Sequence, residues 1–385
     1  MILEQFGKPL FSDLGIILMA KKPALKKLTS FAGKDGTGKE RTTCPVLLRT
    51  LVESFGISGS EESVRNVIEK EIKKYADEIY TDKMGNLIAK VKGAKPKVML
   101  ASHMDEVGVV AKSIGPTGRI YFYTVGGIDP ASLIGQRVHV VGKPHIRGVV
   151  TTAEINDGVP VSSVPKLENL FVDTGYDKAQ LKKHGIDVGA FIALEQEFGC
   201  LANAGYLYGK ALDDRIGCYI LIEVIKRASK MKIKEEMNFV FTVQEEIGLY
   251  GAKTSAYQVA PDWALVVDVT STYEEGSARL VGRGPALTII DSAAIGNKCI
   301  NDHIINIARK KEVPLQMDVS DTGTTDALSI SLSREGVPST ALSIAVKNLH
   351  TTVSIAHLED IENCVKLILE ILKNPPTKCI RKNGK

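Results

Sequence analysis

Three apolar runs of this chain end in acids and an imidazole. Met237 to Val243 is an apolar, β-branched run that reads as a buried strand, and Gln244-Glu245-Glu246-Ile247-Gly248 follows it directly. Val98 to Ser102 leads in the same way to His103 and Asp105, and Trp263 to Val267 leads to Asp268. In open α/β sheets the carboxyl ends of strands are where ligands bind. Helical spacing appears between these runs: Leu47, Leu48, Leu51 and Val52 predict a short helix, and Val64, Val67, Ile68, Ile72 and Tyr75 a second. Ser58-Gly59-Ser60-Glu61-Glu62 offers turn and N-cap chemistry to that second helix. Asp82 to Asn86 reads as a turn between strands at 78–81 and 87–91. An Ile/Leu-rich helix follows Asp213-Asp214-Arg215, and a terminal helix over 358–372 is closed by Pro375-Pro376.

Between Val109 and Ala193 the pattern changes. Short runs such as Arg119 to Tyr123 and Arg137 to Val141 alternate with Gly, Pro and Asp clusters, the signature of a compact, mostly β unit. Its β-branched runs and glycine turns suit a small barrel that presents edges and loops to a partner subunit. The predicted organisation is an N-terminal extension over 1–45, a discontinuous α/β domain over 46–108 and 194–375, a β insert over 109–193, and a tail over 376–385.

Composition narrows the function classes. With 385 residues, 44% hydrophobic and 24% charged, the chain is an ordinary globular protein with room for more than one domain. Its 49 basic and 45 acidic residues leave +4, too weak and scattered a bias to argue for nucleic acid. Six cysteines without a CxxC pair read as reduced thiols in a cytosol. Leu10 to Ala20 contains Asp13 and is far shorter than the roughly 20 residues of a membrane span, so no membrane partner and a cytoplasmic location are expected. Gly33 to Lys39 resembles a phosphate loop, but Glu40 stands where Ser or Thr should hold magnesium, and a flexible basic linker is the expected reading.

Adjacent buried carboxylates at Glu245 and Glu246 need positive charge beside them. Five metal-ligand candidates can be collected, His103, Asp213, Glu246, Asp268 and His350. Two imidazoles and three carboxylates suit two divalent ions, zinc first, with cobalt or manganese as the other candidates. Such a pair would hold a water, lower its pKa and clamp a tetrahedral oxyanion. Glu245, left over, would then serve as general base, and Asp105 would orient His103. Taken singly, Asp213 could merely cap a helix and His103 could be an ordinary loop residue.

The motifs His103-Met104-Asp105-Glu106-Val107-Gly108, Lys210-Ala211-Leu212-Asp213-Asp214-Arg215, Gln244 to Ala252, Asp268-Val269-Thr270 and Gly323-Thr324-Thr325-Asp326-Ala327 occur in one order. Together they resemble the dinuclear aminopeptidases of metallopeptidase family forty-two, a family whose members have also been labelled endoglucanase M. The resemblance runs from about Val46 to Leu372. It implies a zinc-peptidase-like (phosphorylase/hydrolase-like) α/β catalytic domain with an inserted PDZ-like dimerisation domain, and dimers that assemble into tetrahedral dodecamers. It further implies that Asp213 bridges two metals, that His103 and Asp268 complete one and Glu246 and His350 the other, that Glu245 is the base, and that Asp105 supports His103. Two positions depart from many relatives: Asp214, often Asn, and Lys347-Asn348-Leu349 before His350. The expected activity is removal of N-terminal residues from short peptides. A glycoside hydrolase is the rival, since paired carboxylates also cleave glycosidic bonds, but the single Trp263 lies in an expected buried strand rather than on a sugar platform. A non-catalytic peptide-binding assembly protein is the third reading, and it would not need a base beside a metal site.

Overall fold

The computed structural model describes residues 44–380 apart from 162, 204 and 273–278. The extension up to residue 43, with Leu10 to Ala20 and the Gly33 to Glu40 loop, lies outside the described residues. Helices α1 (Val46–Glu53) and α2 (Glu62–Ile72) precede strands β1 (Glu78–Thr81), β2 (Leu87–Val91) and β3 (Ala94–His103). Strands β4 (Gly108–Ile114), β5 (Ile120–Val125), β6 (Arg137–Val140), β7 (Ile146–Thr151), β8 (Phe171–Asp173) and β9 (Phe191–Leu194) follow, with short helices α3 (Pro130–Leu133), α4 (Ala153–Asn156) and α5 (Lys178–Lys183) between them. Next come β10 (Gly199–Cys200), β11 (Tyr206–Gly209), α6 (Leu212–Ala228), β12 (Glu235–Thr242), α7 (Tyr250–Val259), β13 (Trp263–Ser271) and β14 (Ala286–Ile290). The chain continues through α8 (Lys298–Lys310), β15 (Gln316–Val319), α9 (Asp326–Ser331), β16 (Ser339–Val346), β17 (Ser354–His357) and α10 (Leu358–Lys373).

Eight strands form the central sheet in the order β1-β2-β12-β3-β13-β16-β14-β15. The middle four, β12, β3, β13 and β16, are mutually parallel, so their carboxyl ends share one side. Both faces are covered. Val98 and Leu100 of β3 point into a core with residues of α1, α2, α6, α8 and α10, while Met99 and Ala101 point into a second core with α7 and α9. Period-two alternation with apolar neighbours on each side explains why these strands read as continuous hydrophobic runs.

The insert is a closed barrel of order β4-β5-β8-β7-β6-β9. Val109, Ile120, Val138, Val140, Val150, Val172 and Ile192 fill it, and closure removes the open edges that six short strands would otherwise expose. The α/β fold with an inserted, mostly β unit is therefore as expected. β10, β11 and β17 make a third, three-stranded sheet.

The expectation of six reduced thiols is corrected. Cys44 is bonded to Cys200, and Cys299 in α8 to Cys379, with Cα separations of 6.3 and 5.5 Å that lie within the range a disulfide spans. Cys218 and Cys364 are free and buried. Among the described residues no helix is long and apolar enough to cross a membrane.

Candidate active site

The four central parallel strands each lead, at their shared carboxyl side, to part of one cluster. His103 is the last residue of β3. Glu245 and Glu246 follow β12, on a turn in which Gln244 takes a left-handed φ of 57°. Asp268 differs from expectation: β13 does not stop before it but continues to Ser271, paired throughout with β16. Asp268 therefore points up from within the sheet. Asp213 and Asp214 open α6 with non-helical dihedrals, and His350 lies in the loop between β16 and β17 with φ of 56°.

Asp213 is the centre of the cluster. Its Oδ1 is 2.9 Å from Nε2 of His103, and its Oδ2 is 3.2 Å from Nε2 of His350. His350 Nε2 is also 3.3 Å from Oε2 of Glu246, and His103 Nε2 is 3.8 Å from Oδ1 of Asp268. His103, Asp213 and Glu246 thus form one compact donor group, and His103, Asp214 and Asp268 another. The Oε1 of Glu246 is buried without a hydrogen-bond partner.

The electrostatics are those of a site short of positive charge. Burial pushes the Glu246 carboxyl up to about 8, with Asp213 adding to the push. Burial likewise takes Asp268 to about 8, against the pull of His103, and raises Glu245 well above the usual carboxylate range, with Asp268, Asp326 and Glu246 nearby. Burial opposes a proton on His350, yet Asp213 and Glu246 lift it to about 9. Asp213 is held well below the ordinary range because its bonds to the two imidazoles outweigh its burial. Two imidazoles are too few for four clustered carboxylates. A set of imidazole and carboxylate donors with one bifunctional carboxylate between the histidines fits divalent cations of the zinc, cobalt or manganese type.

Asp105 does more than was expected of it. Nδ1 of His103 sits 3.1 Å from its backbone carbonyl and 3.5 Å from Oδ1. Its carboxylate accepts the backbone N–H of Glu245, that of Glu246 and the hydroxyl of Ser58. Asp214 is fully buried, accepting the Ser102 hydroxyl at 2.7 Å and the Gly217 amide at 2.9 Å; burial, with Asp268 near, pushes its carboxyl well up.

Several neighbours were not anticipated. Glu106 pairs with Lys210 at 2.6 Å and with Arg215 at 3.4 Å, all three within 2% of full burial. Arg215 also donates to the carbonyls of Leu51, Ser54, Gly56 and Met104, tying the last turn of α1 and the segment after it to the His103 loop. Asp326, in the motif Gly323 to Ala327, accepts the Thr242 hydroxyl on Oδ2 and leaves Oδ1 buried without a partner. The barrel contributes as well: a Cβ on Gly126 would lie 3.3 Å from the Cβ of Glu246, and one on Gly127 3.3 Å from Nδ1 of His350. Glu106, Lys210 and Arg215 sat in plain view inside the motifs around His103 and Asp213. The Gly126-Gly127 turn carried no chemical signal of its own.

The sequence profile of the M42 glutamyl aminopeptidases matches residues 85–367. A lysyl aminopeptidase from Pyrococcus furiosus is 30% identical over 346 residues, covering 85% of this chain and 96% of that protein. Among solved structures, a TET aminopeptidase from a marine-sediment Thaumarchaeota archaeon superposes with a TM-score of 0.83 at 32% identity, covering 87% of this chain and 98% of that one. A TET1 peptidase from Pyrococcus horikoshii, described as able to assemble into a tetrahedron or a large octahedral shell, gives 0.78 at 32% identity, covering 85% and 98%. With the matched profile spanning most of the sheet and every motif around the cluster, the chain belongs to the M42 glutamyl aminopeptidase family.

Proposed function

We propose that this protein removes N-terminal residues from short peptides by hydrolysis that depends on two divalent metal ions. The observation that carries this reading is Asp213, whose two carboxylate oxygens face two different histidines at 2.9 and 3.2 Å. We assign Asp213 to both ions, His103 and Asp268 to one, and Glu246 and His350 to the other. When bound, such ions supply Lewis acidity toward a peptide carbonyl and make water a better nucleophile near neutral pH. Zinc is the first candidate, with cobalt and manganese next.

Glu245 is left free to act as base. It takes the proton of the attacking water on its carboxylate and passes it to the amine that leaves. Asp105 supports this by holding the backbone under Glu245 and Glu246 while it orients the His103 ring. The Gly126-Gly127 turn closes the side of the cluster next to His350. Trp263 is fully buried and offers no sugar platform, which favours peptides over glycans.

We infer that the chain works as a homo-oligomer built through the barrel. The Pyrococcus horikoshii relative is described as a shell-forming assembly, and here Tyr123, Val149, Val188 and the stretch with Val159, Val161 and Val164 place exposed apolar side chains on the insert. Dimers joined into a dodecamer are the expected form. The cytoplasmic location is kept as a proposal, and the two disulfides weigh against it, since such bridges are rare in cytosol outside hyperthermophiles.

The test is a panel of aminoacyl fluorogenic substrates before and after dialysis against a chelator, with metal analysis and light scattering of the native protein. Loss of activity on chelation and recovery on adding back a divalent ion are expected. Undiminished activity without metal, or cleavage of glycosidic substrates alone, would sink the reading.

A further inference from the structure

Three consecutive backbone amides lie beneath the two carboxylates of the Gln244 turn, and each is taken by a carboxylate from elsewhere. Asp105 takes those of Glu245 and Glu246, each at 3.1 Å. The Gln244 amide goes to Oε1 of Glu61 at 3.3 Å, and the same oxygen accepts the Gly59 amide at 2.7 Å. Successive N–H groups around a left-handed residue form an anion-binding nest; here the chain fills it with its own side chains. Glu61 is 6% exposed and 183 positions away from Gln244 in sequence. It is the N-cap residue of α2, yet that helix has no side-chain cap bond. The carboxylate has turned from the helix to the turn.

The left-handed φ at Gln244 is a conformation that a non-glycine residue holds only when its surroundings impose it. Glu61 and Asp105 impose it by holding the N–H groups of the two peptides that flank Gln244, and the residue so aimed is Glu245. We propose that Glu61 is a positioning residue for hydrolysis, acting through the Gln244 amide to hold the backbone that aims Glu245, and that its reach rather than its charge does this. The inference rests on the reading of Glu245 as base.

Two conservative substitutions separate reach from charge. Glu61→Gln keeps an oxygen at the same distance and removes the charge; Glu61→Asp keeps the charge and an acceptor for the local Gly59 amide but is one methylene too short for Gln244. Misplacing a catalytic group by about 1 Å can cost about a hundredfold in rate. Glu61→Asp should therefore lower kcat roughly tenfold or more, with KM, melting temperature and metal content close to those of the unsubstituted protein, while Glu61→Gln retains most of kcat. In metal-free protein, amide hydrogen exchange over residues 243–247 should quicken in Glu61→Asp and not in Glu61→Gln. Equal kcat and equal exchange in Glu61→Asp would overturn the proposal. So would a Glu61→Gln protein as impaired as Glu61→Asp, or a loss in Glu61→Asp that appears in KM or metal content instead of kcat. An unsubstituted protein inactive on every aminoacyl substrate with metal supplied would remove the reading of Glu245, and the exchange measurement would still report whether Glu61 holds the turn.

Discussion

Asp105 and Glu245 stand 140 positions apart in sequence, and Oδ1 of Asp105 accepts the backbone N–H of Glu245 at 3.1 Å. The other oxygen does the same for Glu246 and also takes the Ser58 hydroxyl at 2.6 Å. An amide in place of this carboxylate would turn an NH2 group toward one of those donors. Asp105→Asn should lose about 1–3 kcal/mol of stability, the usual cost of a buried polar group left without its partner, and should lower kcat. Urea unfolding and steady-state kinetics check it.

Glu245→Gln keeps the shape of the side chain and removes its ability to take a proton. The fold and both metals should be retained, while kcat drops by about 10²- to 10⁴-fold, the usual worth of general-base help. Near-normal turnover with metals bound would reject the role assigned to Glu245.

Asp213 faces both histidines, whereas His350 faces the carboxylates of Asp213 and Glu246. Asp213→Ala should disturb both ions, and His350→Ala chiefly one. Metal stoichiometry after dialysis, on variants whose circular dichroism matches the unsubstituted protein, makes the comparison. Full occupancy in both would refute the shared role of Asp213.

Removing one member of a buried ion pair strands the other. Lys210→Met should cost about 3–5 kcal/mol, because the Glu106 carboxylate loses its 2.6 Å partner and keeps the Arg215 guanidinium at 3.4 Å and the Gly56 amide at 3.1 Å. A denaturation midpoint close to that of the unsubstituted protein would show that the pair contributes little.

Thiol titration of the protein unfolded without reductant should find two reactive groups, Cys218 and Cys364, and six after reduction. Six groups without reductant would rule out both bridges.

What could be read along the chain was whatever local chemistry announces. Apolar runs on both sides of a covered sheet lead straight into His103 and Glu245-Glu246, so those positions were legible; β-branched runs punctuated by glycine made the barrel legible too. Asp268 was misplaced relative to its strand because Val269, Thr270 and Ser271 prolong β13 without a break in texture. Contacts across sequence had no local signature. Cys44 and Cys200 are 156 residues apart and Cys299 and Cys379 are 80 apart, and Glu61 lay unremarked in a stretch of turn and N-cap chemistry because its second partner, the Gln244 amide, belongs to a distant strand end.

The Gly126-Gly127 turn bears on how this architecture can be recombined. The barrel hangs from the α/β domain by two neighbouring crossings, after β3 and after β9, which invites treating it as an exchangeable module. Its first long turn, however, lies against Glu246 and His350 with no room for a side chain at Gly127 unless the imidazole shifts. A graft that exchanges everything between residues 108 and 194 therefore transplants part of the wall of the proposed active site along with the scaffold. Chimeras that keep this glycine pair from the host chain and take the remaining strands from the donor are the ones that preserve the wall beside the histidine.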